Sequence, residues 1–157
     1  MPFSARQKAV DTKQIYNGNI NEVFRLFCPT RQNEWLSGWS AEIVYSKTGH
    51  IEKDCVFTTQ FENSTKTIWY VSECDEKNSK LEFIRVTPGE LAVRINISLR
   101  KIDETLTEAG IAYTYTGLNE EQNKFIKEDL EKQFFESMGM WERALNHYLT
   151  TGMILRN

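Results

Sequence analysis

The sequence predicts an α+β domain in which one long terminal helix lies across an antiparallel sheet. Three observations lead there. Apolar residues alternate with period 2 from Trp39 to Leu118, an apolar stripe of helical period fills the segment from Asn119 to Gly152, and the connections within the two-periodic region are short. Short connections join antiparallel neighbours, because a parallel pair needs a long crossover.

In chain order, Ala9 to Tyr16 reads as a first strand, ended by Asn17-Gly18. Asn19 then opens a helix with Glu22 in capping-box spacing, and Ile20, Val23, Phe24 and Phe27 fall on one face until Pro29 stops it. A second helical turn is expected over Thr30 to Leu36, with Ser37-Gly38 breaking the chain before Trp39. Turn signals at Thr48-Gly49, Glu62-Asn63-Ser64, Lys77-Asn78-Ser79 and Pro88-Gly89 then divide the rest into six strands. The clearest is Leu91 to Leu99, whose odd positions are all apolar.

The terminal helix opens at Asn119, with Gln122 in capping-box spacing, and closes at Gly152. Ile126, Leu130, Phe134, Met138, Trp141, Leu145 and Tyr148 form one stripe along roughly 45 Å of continuous helix. Glu120/Lys124 and Glu128/Lys132 mark its solvated face. Gly139 inside it costs about 1 kcal/mol relative to Ala, so close packing or a slight bend is expected there.

Composition narrows the function classes. The 157 residues, 40% hydrophobic, suit a single domain spanning 1–157 that buries roughly 70% of its unfolded surface. A net charge of −3, with 19 basic and 22 acidic residues interspersed, offers no single-sign block for nucleic acid or an anionic membrane. No apolar run approaches the ~20 residues of a membrane span, and the N-terminus MPFSARQKAV lacks the apolar region of a signal peptide. A cytoplasmic protein is expected, and Cys28, Cys55 and Cys74 read as reduced, buried thiols. His50 and His147 lie far apart and no spacing suggests a metal site.

The element order, the stretch CPTRQNEWLSGW at 28 to 39, the YTYTGL at 113 to 118 and the amphipathic C-terminal helix together resemble the SRPBCC superfamily, the START-like and polyketide-cyclase-like domains with the helix-grip fold. The resemblance covers nearly the whole chain. It implies a seven-stranded antiparallel sheet wrapped around the long C-terminal helix, two short helices between strands 1 and 2, and a cavity between sheet and helix. It also implies no permanent cofactor and a small, largely apolar guest such as a lipid, sterol, quinone or polyketide-like molecule, taken by a monomer or homodimer. Binding, extended to transport or sequestration, is one reading. A polyketide cyclase or dehydratase and a chaperone-activator-like interaction module are the alternatives.

On the period-2 assignment Phe57, Phe61, Trp69, Val71, Phe83, Val93, Ile95, Ile97, Ile111, Tyr113 and Tyr115 face inward, opposed by Leu130, Phe134 and Met138. Arg85 and Glu73 follow if alternation stays strict. The ligand-binding candidates are Trp35, Trp39, Phe57, Trp69, Phe83, Ile95, Tyr113, Tyr115, Phe134 and Met138, in a lining that is nearly all apolar. Trp35 and Trp39 either wall the cavity or plug it as core. For chemistry the candidates are Glu34 at the mouth, with a raised pKa if buried, and the hydroxyls of Tyr113 and Tyr115.

Overall fold

The computed structural model describes residues 2–61 and 63–156. Glu62, one residue of the expected Glu62-Asn63-Ser64 turn, lies outside the described residues, as do both ends of the expected 1–157 span. Seven strands form one antiparallel sheet: β1 (Gln7–Tyr16), β2 (Ala41–Tyr45), β3 (Val56–Thr59), β4 (Thr67–Asp75), β5 (Lys80–Thr87), β6 (Leu91–Asp103) and β7 (Leu106–Gly117). Their spatial order is β1-β7-β6-β5-β4-β3-β2, a meander whose first strand closes onto the last. No helix among the described residues is long and apolar enough to cross a membrane.

Between β1 and β2 lie helix α1 (Ile20–Leu26) and a single 3-10 turn (Gln32–Glu34). The Asn19 carboxamide caps α1 by accepting from the Asn21 N–H at 2.9 Å, one residue earlier than capping-box spacing anticipates. The expected helical turn over Thr30 to Leu36 is narrower than its sequence suggested. Its backbone bonds nevertheless continue through Leu36 N–H to the Gln32 carbonyl at 2.8 Å, and Gly38 then turns the chain at φ +85°.

The C-terminal helical segment departs from the expected single rod. It is two helices, α2 (Glu120–Glu128) and α3 (Leu130–Thr151), separated by Asp129 at φ −122°, ψ −14°. Asp129 is exposed and aspartate is a poor helix-interior residue, which accounts for the interruption. Hydrogen bonds still enter and leave it: its N–H reaches the Phe125 carbonyl at 2.8 Å, and its carbonyl accepts from Gln133 N–H at 3.1 Å. At Gly139, where a bend or close packing was expected, α3 runs on. An added Cβ there would touch only the end of the Arg143 side chain at 3.4 Å. Both outer caps follow the sequence, with Asn119 Oδ1 accepting from Gln122 N–H and Gly152 ending α3 in the left-handed region.

The stripe of α3 rests on the inner sheet face, with Leu130, Phe134, Met138 and Leu145 buried in the same core as Val93, Ile95, Ile97, Ile111 and Tyr113. Polar side chains fix the position of α3 along β1. Gln14, 3% exposed, donates from Nε2 to the Met138 carbonyl at 2.6 Å and accepts the Tyr16 hydroxyl at its Oε1. Beyond it, Glu142 accepts the Ile15 N–H at 2.8 Å, while Asn146 accepts from Asn17 N–H and donates to the Ile15 carbonyl.

Two side chains depart from strict alternation. Glu73 is exposed, because the β4–β5 register slips between Val71 and Glu73 and returns Cys74 to the inner side opposite Leu81. Phe61 lies beyond the end of β3 and is 65% exposed. Replacing Gln14 by Leu removes the buried clamp and leaves the Tyr16 hydroxyl without its acceptor. Urea denaturation is expected to show a loss of about 1–3 kcal/mol. Lys8→Ala, which removes a partly exposed ion pair with Glu131, is expected to change stability by about 1 kcal/mol or less.

Candidate functional site

A half-open groove of about 420 Å³ lies between the sheet and α3, within the usual size range of small-molecule sites. Three groups of side chains form it. Trp69 and Arg85 come from β4 and β5, and Tyr113 and Tyr115 from β7, all on the inner face that alternation predicts. From α3 come Leu130, Gln133, Phe134, Ser137, Met138 and Trp141. Trp39, ahead of β2, closes one end, while Thr59, Phe61 and Thr67 form part of the rim.

The two tryptophans of the 28–39 stretch part company. Trp35 is wholly buried, donates its indole N–H to the Leu26 carbonyl at 2.8 Å and packs edge-on against Phe27 and Trp141. It is a core plug and does not line the groove. Trp39 is half-buried, anchored by a 3.0 Å bond from its indole N–H to the Pro29 carbonyl, and meets Trp69 edge-on at 5.8 Å. It is a groove wall. One tryptophan thus fits each of the two readings.

Trp39, Trp69, Tyr113, Tyr115, Phe134 and Met138 of the binding candidates line the groove. Phe57, Phe83 and Ile95 lie a layer deeper. Phe57 stacks on Trp69 at 5.3 Å, and Phe83 meets both rings edge-on. These three surround a small void of about 10 Å³ together with Trp39, Trp69 and Gln32. Gln32 is 5% exposed and its Oε1 has no hydrogen-bond partner, the one such buried side-chain atom among the described residues.

The lining is more polar than alternation implied. Gln133 and Ser137 sit one residue before Phe134 and Met138, so the groove-facing side of α3 is wider than the stripe read from the sequence. A polar and a small residue at i, i+4 beside an apolar row was the available signal. Among the described residues no Asp, Glu, His, Lys or Cys lines the groove, and none of the His, Cys, Asp and Glu side chains cluster as a metal site would require. Cys28 and Cys55 are buried, and burial pushes the Cys74 thiol up to about 11.

Glu34 stands apart from the groove lining. Its carboxylate receives Arg31 Nε at 2.9 Å and the Tyr148 hydroxyl at 2.9 Å, tying the 3-10 turn to α3. The Arg31 hydrogen bond, aided by Tyr148, holds its carboxyl below the usual carboxylate range, opposite to the raised value that burial beside Trp35 would bring. Burial raises the phenols of Tyr113 and Tyr115, against an opposing pull from Arg85. Both are protonated at neutral pH and are hydrogen-bond donors rather than bases. Tyr16, buried beside Gln14, is raised for the same reason.

These raised phenols set a pH dependence. The folded chain keeps protons that the unfolded chain releases above about pH 10, so stability is level at neutral pH and falls as pH rises past that point. Urea midpoints measured from pH 7 to 11 are expected to show this fall, and Tyr113→Phe is expected to make it shallower, since Tyr16 and Tyr115 remain. A midpoint that rises above pH 10 would contradict the assignment.

No protein-family model matches the sequence. No curated protein matches it either. Solved structures do share its architecture. Norcoclaurine synthase from Thalictrum flavum, in complex with dopamine and hydroxybenzaldehyde, aligns with a TM-score of 0.67 and 9% identity over 94% of this chain and 88% of that one. A hypothetical protein from Helicobacter pylori aligns with a TM-score of 0.71 and 13% identity over 90% and 87%. DynU16, from the dynemicin biosynthetic locus, aligns with a TM-score of 0.62 and 15% identity over 92% of this chain and 48% of its own. With its open seven-stranded antiparallel sheet and long C-terminal helix, the chain has the helix-grip fold, which it shares with these structures.

Proposed function

We propose that the chain, as one domain over residues 1–157, binds a small, largely apolar molecule in the groove between sheet and C-terminal helix, for transport or sequestration. The observation that carries this reading is the groove itself, about 420 Å³ and walled by Trp39, Trp69, Phe134, Met138 and Trp141. Flat aromatic walls favour a flat guest, and each well-fitted methylene contributes about 0.8 kcal/mol. That norcoclaurine synthase is seen with dopamine and hydroxybenzaldehyde supports guests of this shape. Cyclase or dehydratase chemistry is the weaker reading. It needs a base within reach of the guest, and the titratable groups of the groove's described lining are only phenols and one guanidinium.

A neutral, environment-sensitive naphthalene such as 6-propionyl-2-dimethylaminonaphthalene tests the reading by fluorescence titration. Ser137→Phe places a ring in the groove from a half-buried helix position. It is expected to weaken probe binding about ten-fold or more, since a filled pocket excludes the guest. Glu34→Gln, outside the groove, is expected to leave the affinity within about two-fold. Equal binding by wild type and Ser137→Phe would place the probe elsewhere and contradict the proposal.

A further inference from the structure

The groove holds one permanent charge. Arg85 lies on β5 between its cross-strand neighbours Trp69 and Val93, and its side chain is half-buried among aromatic rings. The guanidinium carbon is 5.6 Å from the Trp69 ring centroid and 5.7 Å from that of Tyr115. Such ring faces stabilise a cation in part. The Tyr115 phenol oxygen is one neutral hydrogen-bond partner of Arg85, and the ring faces do not supply the paired in-plane acceptors that a guanidinium fork is shaped to meet.

Every other arginine has a simpler environment. Arg31, the other half-buried one, is paired by Glu34 at 2.9 Å. Arg25 and Arg100 have Glu76 and Glu108, and Arg6, Arg94, Arg143 and Arg156 are exposed to water. Among the described residues no carboxylate pairs with Arg85. The polar groups that share its groove are neutral: the phenols of Tyr113 and Tyr115, the hydroxyls of Thr59, Thr67 and Ser137, and the Gln133 amide. A guanidinium does not deprotonate in proteins, so the site is cationic at every physiological pH and lacks a counter-charge of its own.

We infer that the guest carries a carboxylate on its apolar body and that Arg85 receives it. This rests on the groove-binding reading and names the chemical class of the guest. The carboxylate accepts from the guanidinium fork, the protonated phenols beside it are available as further donors, and the body lies against Trp39, Trp69 and Phe134. One positive charge in an otherwise neutral, aromatic site suits a monoanion. A phosphate dianion would bring a second charge for which the described lining has no partner.

The matched pair 2-naphthoate and 2-naphthamide, which differ in charge at nearly constant shape, tests this by calorimetric titration at pH 7. The wild-type protein is expected to prefer the carboxylate by about ten-fold or more, the usual gain from a charge-assisted hydrogen bond in a partly dry site. Arg85→Met is expected to abolish that preference. Arg85→Lys, which keeps the charge and loses the fork, is expected to retain part of it and serves if the methionine variant does not fold. Equal binding of acid and amide by the wild type, or a preference that survives Arg85→Met, would overturn the carboxylate assignment and leave the apolar groove standing. Binding of neither compound would overturn both.

Discussion

One helix cannot cover seven strands, and the groove follows from that mismatch. Strands spaced at about 4.8 Å make a seven-stranded sheet roughly 30 Å across, while a helix with its side chains is about 10–12 Å thick. Where the helix is held therefore decides where inner surface is left over. Here α3 is tied to β1, at one edge of the sheet, through Gln14, Glu142 and Asn146. The Gln14 bond is buried, so breaking it strands polar groups away from water. The surface left uncovered runs from Tyr113 and Tyr115 on β7 across to Trp69 and Arg85 on β4 and β5.

The stretch between β1 and β2 closes one end of that space. Trp35 packs in the core behind it, with its indole N–H satisfied by the Leu26 carbonyl, and Trp39 walls it without filling it. The two residues are four apart in sequence but leave the 3-10 turn in different directions, one under Trp141 and one against Trp69. The Glu34 carboxylate, a candidate for proton transfer by sequence, accepts the Tyr148 hydroxyl and so ties the 3-10 turn to α3. Below the groove floor the side-chain Oε1 of Gln32 is a buried acceptor without a donor, a polar point in an otherwise aromatic layer.

Much of the architecture could be read from residue periodicity. Inward positions on β4 through β7 followed the period-2 rule wherever the ladder is regular, which is why Trp69, Tyr113 and Tyr115 were legible as cavity residues. The rule failed where regularity did: at Glu73, turned outward by the slip after Val71, and at Phe61, past the last hydrogen-bonded residue of β3. The helix stripe was too narrow, because a hydrophobic row marks what packs tightly and not what borders empty space. Gln133 and Ser137 belong to the second class. Trp35 and Trp39 could not be assigned from sequence, since their directions depend on irregular backbone between Pro29 and Ser40. The break at Asp129 was hidden by an apolar pattern that continues across it.

The four tryptophans offer the most direct test of the central claim, that the space beside α3 is a binding site. Trp39, Trp69 and Trp141 border it, and Trp35 is buried away from it. Fluorine NMR of protein labelled with 5-fluorotryptophan, titrated with a neutral naphthalene, should move the resonances of those three and disturb that of Trp35 least. Saturable binding that leaves all three groove resonances in place, or shifts Trp35 alone, would contradict the account.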